Sequence, residues 1–237
     1  MALTVQHLTK RYDDDVAVSD VSITLQDGEL TVLVGRSGAG KTTLVRCLNG
    51  LEQPDEGTVS LDGYEPSVTD IALVFQSGAL LDSKSVLDNV LDGSLGREPT
   101  WRELLGWHDP AEKRAAIERL HAVGLDGYAD RPVRTLSGGQ RQRVGIARAL
   151  QQEPAVLLAD EPVASLDPAT AGSVLDRLAA VVHDQDLVGL VSLHQPELAR
   201  GVADRYLGLA DGELVLDAPA EDVDADRIAE VYDRDIR

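Results

Sequence analysis

The stretch Gly35-Arg36-Ser37-Gly38-Ala39-Gly40-Lys41-Thr42-Thr43 constrains this chain more than any other. It fits the phosphate-loop pattern G-x-x-x-x-G-K-[ST]. The apolar run Leu30-Thr31-Val32-Leu33-Val34 leads into it and reads as a buried strand. Residues 42–49 lead out as a helix, with Gly50 as its C-cap. Backbone N–H groups can wrap a phosphate chain only where no side chain intrudes, which accounts for Gly35, Gly38 and Gly40. The helix that follows turns its positive end toward the anion. Lys41 supplies a compact charge for the terminal phosphates, and the Thr42 hydroxyl is a Mg²⁺ ligand.

A chain of 237 residues can bury a substantial core as one large domain or two small ones. Only 3% of its residues are aromatic, so that core is built from Leu, Val, Ile and Ala. Cys47 is the only cysteine; no intrachain disulfide can form, and a reducing setting fits. No apolar run approaches the ~20 residues of a membrane span, and the first ten residues lack a signal peptide's apolar stretch. Any link to a membrane is therefore expected to go through a partner. With 41 acidic against 22 basic residues the net charge is −19, which repels nucleic acid and anionic lipid. Scarce lysine and abundant aspartate point to adaptation to high salt, where such self-repulsion is screened.

Residues 3–10 and 16–25 alternate partly and read as two strands of a small antiparallel sheet, with Asp27-Gly28 a turn after them and a further strand at 58–61. Ile71-Ala72-Leu73-Val74-Phe75 reads as a fully apolar strand ending at Gln76. From residue 85 to 151 the pattern is helical. Asp109 and Pro110 start one helix, Ile117, Leu120 and Val123 share its face, and Gly124 ends it. Strands are expected at 155–159, 187–193 and 213–216, a helix at 168–183, and a solvated helical tail from 221.

Two further patterns carry chemistry. Ala155-Val156-Leu157-Leu158-Ala159 runs into Asp160-Glu161: the first carboxylate is placed to hold Mg²⁺ and the second to polarise an attacking water. Leu136-Ser137-Gly138-Gly139-Gln140 opens an arginine-bearing helix, where two glycines and a serine again make an anion site.

Ser-Gly-Gly-Gln between a phosphate loop and an Asp-Glu strand resembles the ATP-binding subunits of ABC transporters. The resemblance runs over residues 3–232 and implies an α/β P-loop core with an antiparallel β subdomain and a helical subdomain at about 85–151, in a single domain 1–237. It implies that Tyr12 stacks on adenine and that Gln76 senses Mg²⁺ and the attacking water. Ser165-Leu166-Asp167 is similar to the loop that crosses the dimer interface, and His194 to the histidine that holds the γ-phosphate. The other histidines, His7, His108, His121 and His183, have no such frame and read as incidental. Two chains are implied to sandwich two ATP molecules head to tail, each phosphate loop facing the partner's Ser137, Gly138, Gly139 and Gln140.

A narrower similarity, to ATPases of phosphonate importers, rests on Glu161-Pro162-Val163-Ala164-Ser165-Leu166-Asp167, on Ser85-Val86-Leu87-Asp88-Asn89-Val90-Leu91, on Trp101-Arg102, and on Leu193-His194-Gln195 with Leu198-Ala199-Arg200. It implies an ATPase homodimer at the cytoplasmic face of the cell membrane, on a transmembrane permease fed by an extracytoplasmic solute-binding protein. With the acid excess it implies a halophilic archaeon as source. Phosphate or another small anion is the alternative cargo. A non-transport ABC ATPase acting on DNA or ribosomes would be expected to carry a basic face or tandem cassettes. A P-loop kinase would not need 136–140 or His194.

Overall fold

The computed structural model describes residues 1–75, 79–95 and 109–233. Gln76, Trp101 and His108 lie outside these residues.

The strand before the phosphate loop, β3 (Glu29–Val34), sits inside a six-stranded sheet. Its neighbours are β5 (Ile71–Val74), β6 (Val156–Asp160), β7 (Val188–Ser192), β8 (Arg205–Ala210) and β9 (Glu213–Pro219), in the order β5-β6-β7-β3-β8-β9. Every pairing is parallel except the antiparallel edge β8–β9. Both faces are covered, which is why the strands read as continuous apolar runs rather than alternating ones. Along β3, Leu30, Val32 and Val34 enter one hydrophobic cluster and Leu33 the other. In β6, Leu157 and Ala159 face the first cluster, Val156 and Leu158 the second.

The second cluster is closed by α1 (Lys41–Leu48) and by the antiparallel sheet of β1 (Ala2–Tyr12), β2 (Asp15–Gln26) and β4 (Glu56–Leu61), ordered β2-β1-β4. The first is closed by α2 (Val86–Leu91), α3 (Pro110–Ala122), α4 (Gly138–Gln151) and α5 (Pro168–Asp184). The side chain of Gln142 on α4 donates to the Phe75 carbonyl at 3.1 Å, tying the helical region to the exit of β5.

The structure departs from the sequence reading in four places. Along α3 and its C-cap the buried stripe is Ala116, Leu120 and Val123, while Ile117 is exposed; a spacing of four and three residues follows the helix face that 117 leaves by one position. Strand β5 stops at Val74 and leaves Phe75 exposed. The reading places no strand at 205–210, where β8 runs. The tail helix α6 (Ala225–Asp233) is not wholly solvated: Ile228 and Val231 are buried on β8, whose Gly208 has no room for a Cβ beneath Val231. Elsewhere the expected elements are found within a residue or three of their anticipated ends. Asp109 caps α3 with Pro110 behind it, and Gly50 follows the α1 C-cap at φ +73°. Among the described residues no helix is long and apolar enough to cross a membrane.

Candidate nucleotide site

The carboxyl ends of the parallel strands β3, β6 and β7 lie side by side, with Leu33 and Asp160 both in register with Ser192. A parallel sheet presents its ligand crevice at this end. The phosphate loop leaves β3 here, and a cavity of about 160 Å³ opens beside it. It is lined by Ser37, Gly38, Gly40, Lys41, Thr42 and Thr43 of the loop and helix, by Glu161 and His194, and by Ala17 of β2.

The glycines of the loop are required for different reasons. Gly35 (φ +150°) and Gly40 (φ +99°) have their own chain against them: a Cβ would fall 2.3 Å from the Leu209 carbonyl oxygen and 2.2 Å from that of Ala17. Only Gly38, at φ +88°, has open space around the missing Cβ. Backbone clearance for a phosphate therefore explains Gly38, while Gly35 and Gly40 are imposed first by packing against β8 and β2, which corrects the sequence argument.

Lys41 is buried, and its ammonium donates to the Gly35 and Arg36 carbonyls at 2.7 and 2.9 Å. The first turn of α1 carries no acidic residue and no side-chain cap, so its N–H groups face the cavity without a competing carboxylate. The Thr42 hydroxyl donates to Asp160 Oδ1 at 3.2 Å. The Thr42 hydroxyl on the cavity wall and the carboxylate it bonds are hard oxygen donors of the kind Mg²⁺ takes alongside phosphate oxygens. These residues fit that ion.

Asp160 and Glu161 are held by a residue that the sequence reading missed. Ser192, fully buried at the end of β7, donates to Asp160 Oδ1 at 2.8 Å and accepts the Glu161 N–H at 2.9 Å. The available signal was a lone hydroxyl in an apolar strand two positions before His194. Glu161 itself lies at φ +48°, a conformation that costs a non-glycine residue about 1–2 kcal/mol and recurs at functional sites. The turn aims its carboxylate across the cavity edge, where Oε1 meets His194 Nε2 at 2.6 Å.

The remaining expected residues are distributed as follows. Ala39 is buried in the second core. Arg36 is exposed and turns away from the cavity to the Tyr232 carbonyl. Tyr12 does not line the cavity; it is half exposed at the end of β1, its hydroxyl donates to Glu52, and the Lys10 ammonium lies 5.6 Å from its ring centroid. Ser137 caps α4 through a reciprocal pair with Gln140, at 3.4 and 3.0 Å, and is exposed away from this chain's own cavity. Gly139 is buried, and a Cβ there would fall 2.3 Å from Thr170 Cγ2, so α5 alone already demands a glycine. Asp167 caps α5. The Thr170 hydroxyl, then the Thr170 N–H, holds its carboxyl below the ordinary range. His7, His121 and His183 meet Asp20, Asp126 and Asp204 away from the cavity.

A family model described as "ABC transporter" matches residues 18–164, well over half of the chain and inclusive of the phosphate loop, 137–140 and Asp160-Glu161. The chain belongs to the ABC transporter family. It is an ATPase of that family and binds ATP. It is 73% identical to the phosphonates import ATP-binding protein PhnC 1 of the halophilic archaeon Natronomonas pharaonis, over 98% of this chain and 99% of that one. It is 44% identical to the phosphate-import ATP-binding protein PhnC of Mycolicibacterium smegmatis, over 99% of this chain and 93% of that one. A bacterial ABC transporter cassette solved as a dimer, MJ0796, superposes with a TM-score of 0.77 at 28% identity, over 92% of this chain and 98% of that one.

Proposed function

We propose that this chain is the ATP-hydrolysing motor of a phosphonate importer, a single ABC-type domain that works as a homodimer. The observation that carries the reading is the 73% identity, over nearly the whole of both chains, to a phosphonates import ATP-binding protein. The dimer is supported by the cassette solved as one. The dimer docks on a transmembrane permease at the cytoplasmic face of the membrane, and an extracytoplasmic binding protein delivers the cargo.

In this reading the loop amides of 35–40 and the N-terminus of α1 take the phosphates. Lys41 exchanges its two loop carbonyls for phosphate oxygens. Thr42 and Asp160, with Gln76, hold Mg²⁺, which neutralises charge on the phosphates. Glu161 accepts the proton of the attacking water, and His194 orients that carboxylate and bonds the γ-phosphate. Tyr12 stacks on adenine. Ser137, Gly138, Gly139 and Gln140 complete the partner's site, a reading supported by the exposure of Ser137 and Gly138 away from this chain's own cavity.

The test is genetic. Cells lacking the gene are expected to lose growth on methylphosphonate as sole phosphorus source and to keep growth on phosphate. The opposite pattern favours the second reading, a phosphate importer, which the 44% identity to a phosphate-import protein supports. Unimpaired growth on both rejects both readings.

A further inference from the structure

The nucleotide site has a neighbour that none of its motifs includes. Helix α6 is seated on β8 by Ile228 and Val231, and Gly208 leaves the space that Val231 fills. Because β8 lies beside β3, this seating carries the end of α6 to the start of the phosphate loop. Tyr232 is the residue that arrives there. Its ring packs on the first core, and its hydroxyl donates to the His194 main-chain carbonyl at 3.3 Å. Burial raises the phenol's pKa, and the Gly35 N–H beside its oxygen pulls the other way. The Tyr232 carbonyl in turn accepts Arg36 Nη1 at 3.3 Å. One residue thus touches both loops that line the cavity.

We propose that Tyr232 is a positioning residue for ATP hydrolysis, its hydroxyl holding the main chain at His194 while its carbonyl holds Arg36 of the phosphate loop. The imidazole of His194 reaches Glu161 at 2.6 Å, so a shift of its main chain changes that contact directly. Misplacement of a reacting group by ~1 Å is enough to slow a catalysed step by orders of magnitude. Filling space on β8 needs the ring but not the hydroxyl. The inference rests on the ATPase reading above.

Tyr232→Phe keeps the ring and removes only the hydroxyl. In the full chain in molar KCl, kcat is expected to fall about 3–10-fold, the effect of one hydrogen bond on a barrier. KM for ATP should stay within about twofold, because Lys41 and the loop amides are intact. The melting temperature should move by less than about 2 °C. In a histidine-labelled sample the His194 imidazole resonances should shift while those of His7, His121 and His183 stay in place. Unchanged kcat, or an unchanged His194 signal, overturns the proposal; so does a loss of activity that merely follows a loss of stability. The resonance readout needs no turnover, so a wild-type chain that hydrolyses no ATP refutes the proposed function without removing this test.

Discussion

Ser192→Ala removes one oxygen atom from a buried strand end and has consequences for both acidic residues of the site. In the wild type that oxygen donates to Asp160 Oδ1 at 2.8 Å and accepts the Glu161 N–H at 2.9 Å, with no solvent exposure of its own. Once it is gone, the Glu161 N–H loses its acceptor. The left-handed conformation at Glu161 stops the peptide from turning toward another, so the cost is that of a stranded, part-buried donor, about 1–3 kcal/mol. Asp160 is partly exposed and still accepts from Thr42 at 3.2 Å, so it recovers part of the lost charge-assisted bond; about 1 kcal/mol remains. The sum is about 2–4 kcal/mol. A chain of this size loses about 2–4 °C of melting temperature per kcal/mol, so the midpoint should fall by at least about 4 °C. Thermal melts in molar KCl measure this, with steady-state ATP hydrolysis as the companion assay, which should fall as Glu161 loosens. A melt within about 1 °C of wild type refutes the reasoning, because it means the Glu161 N–H is satisfied without Ser192.

Glu161→Gln should keep Mg-ATP binding, lose about 10²–10⁴-fold in hydrolysis, and run as a dimer on size exclusion with Mg-ATP; hydrolysis near the wild-type rate would assign the base elsewhere. Gly139→Ala should destabilise by about 1–3 kcal/mol through its clash with Thr170, and Thr170→Ala in the same chain should restore most of the loss. If the double variant melts as low as the single one, own-chain packing is not the reason for that glycine. With a net charge of −19, the melting temperature should climb steeply from dilute buffer to molar KCl, and a flat profile would remove the high-salt interpretation.

By itself the sequence determined whatever is local. The phosphate loop, its strand and its helix are contiguous, so Gly38, Lys41 and Thr42 fall into place from 35–43 alone. The same holds for the Asp109 cap, whose bond spans two residues. Continuous apolar runs at 30–34 and 155–159 announced strands without alternation, because covering a sheet on both faces removes it. The tertiary structure decided whatever depends on elements distant in sequence. Gly35 and Gly40 owe their lack of a side chain to carbonyls of Leu209 and Ala17, and Gly139 owes it to Thr170. Ser192 became a site residue only when β7 paired with β6 and brought it in register with Asp160. Strand β8 had gone unread because Gly208 interrupts its run, and that glycine exists to admit Val231 from a helix that seemed solvated. In each case a backbone or buried polar group had to be met by a partner that the order of residues does not bring near. Packing distance, rather than local pattern, selected these residues.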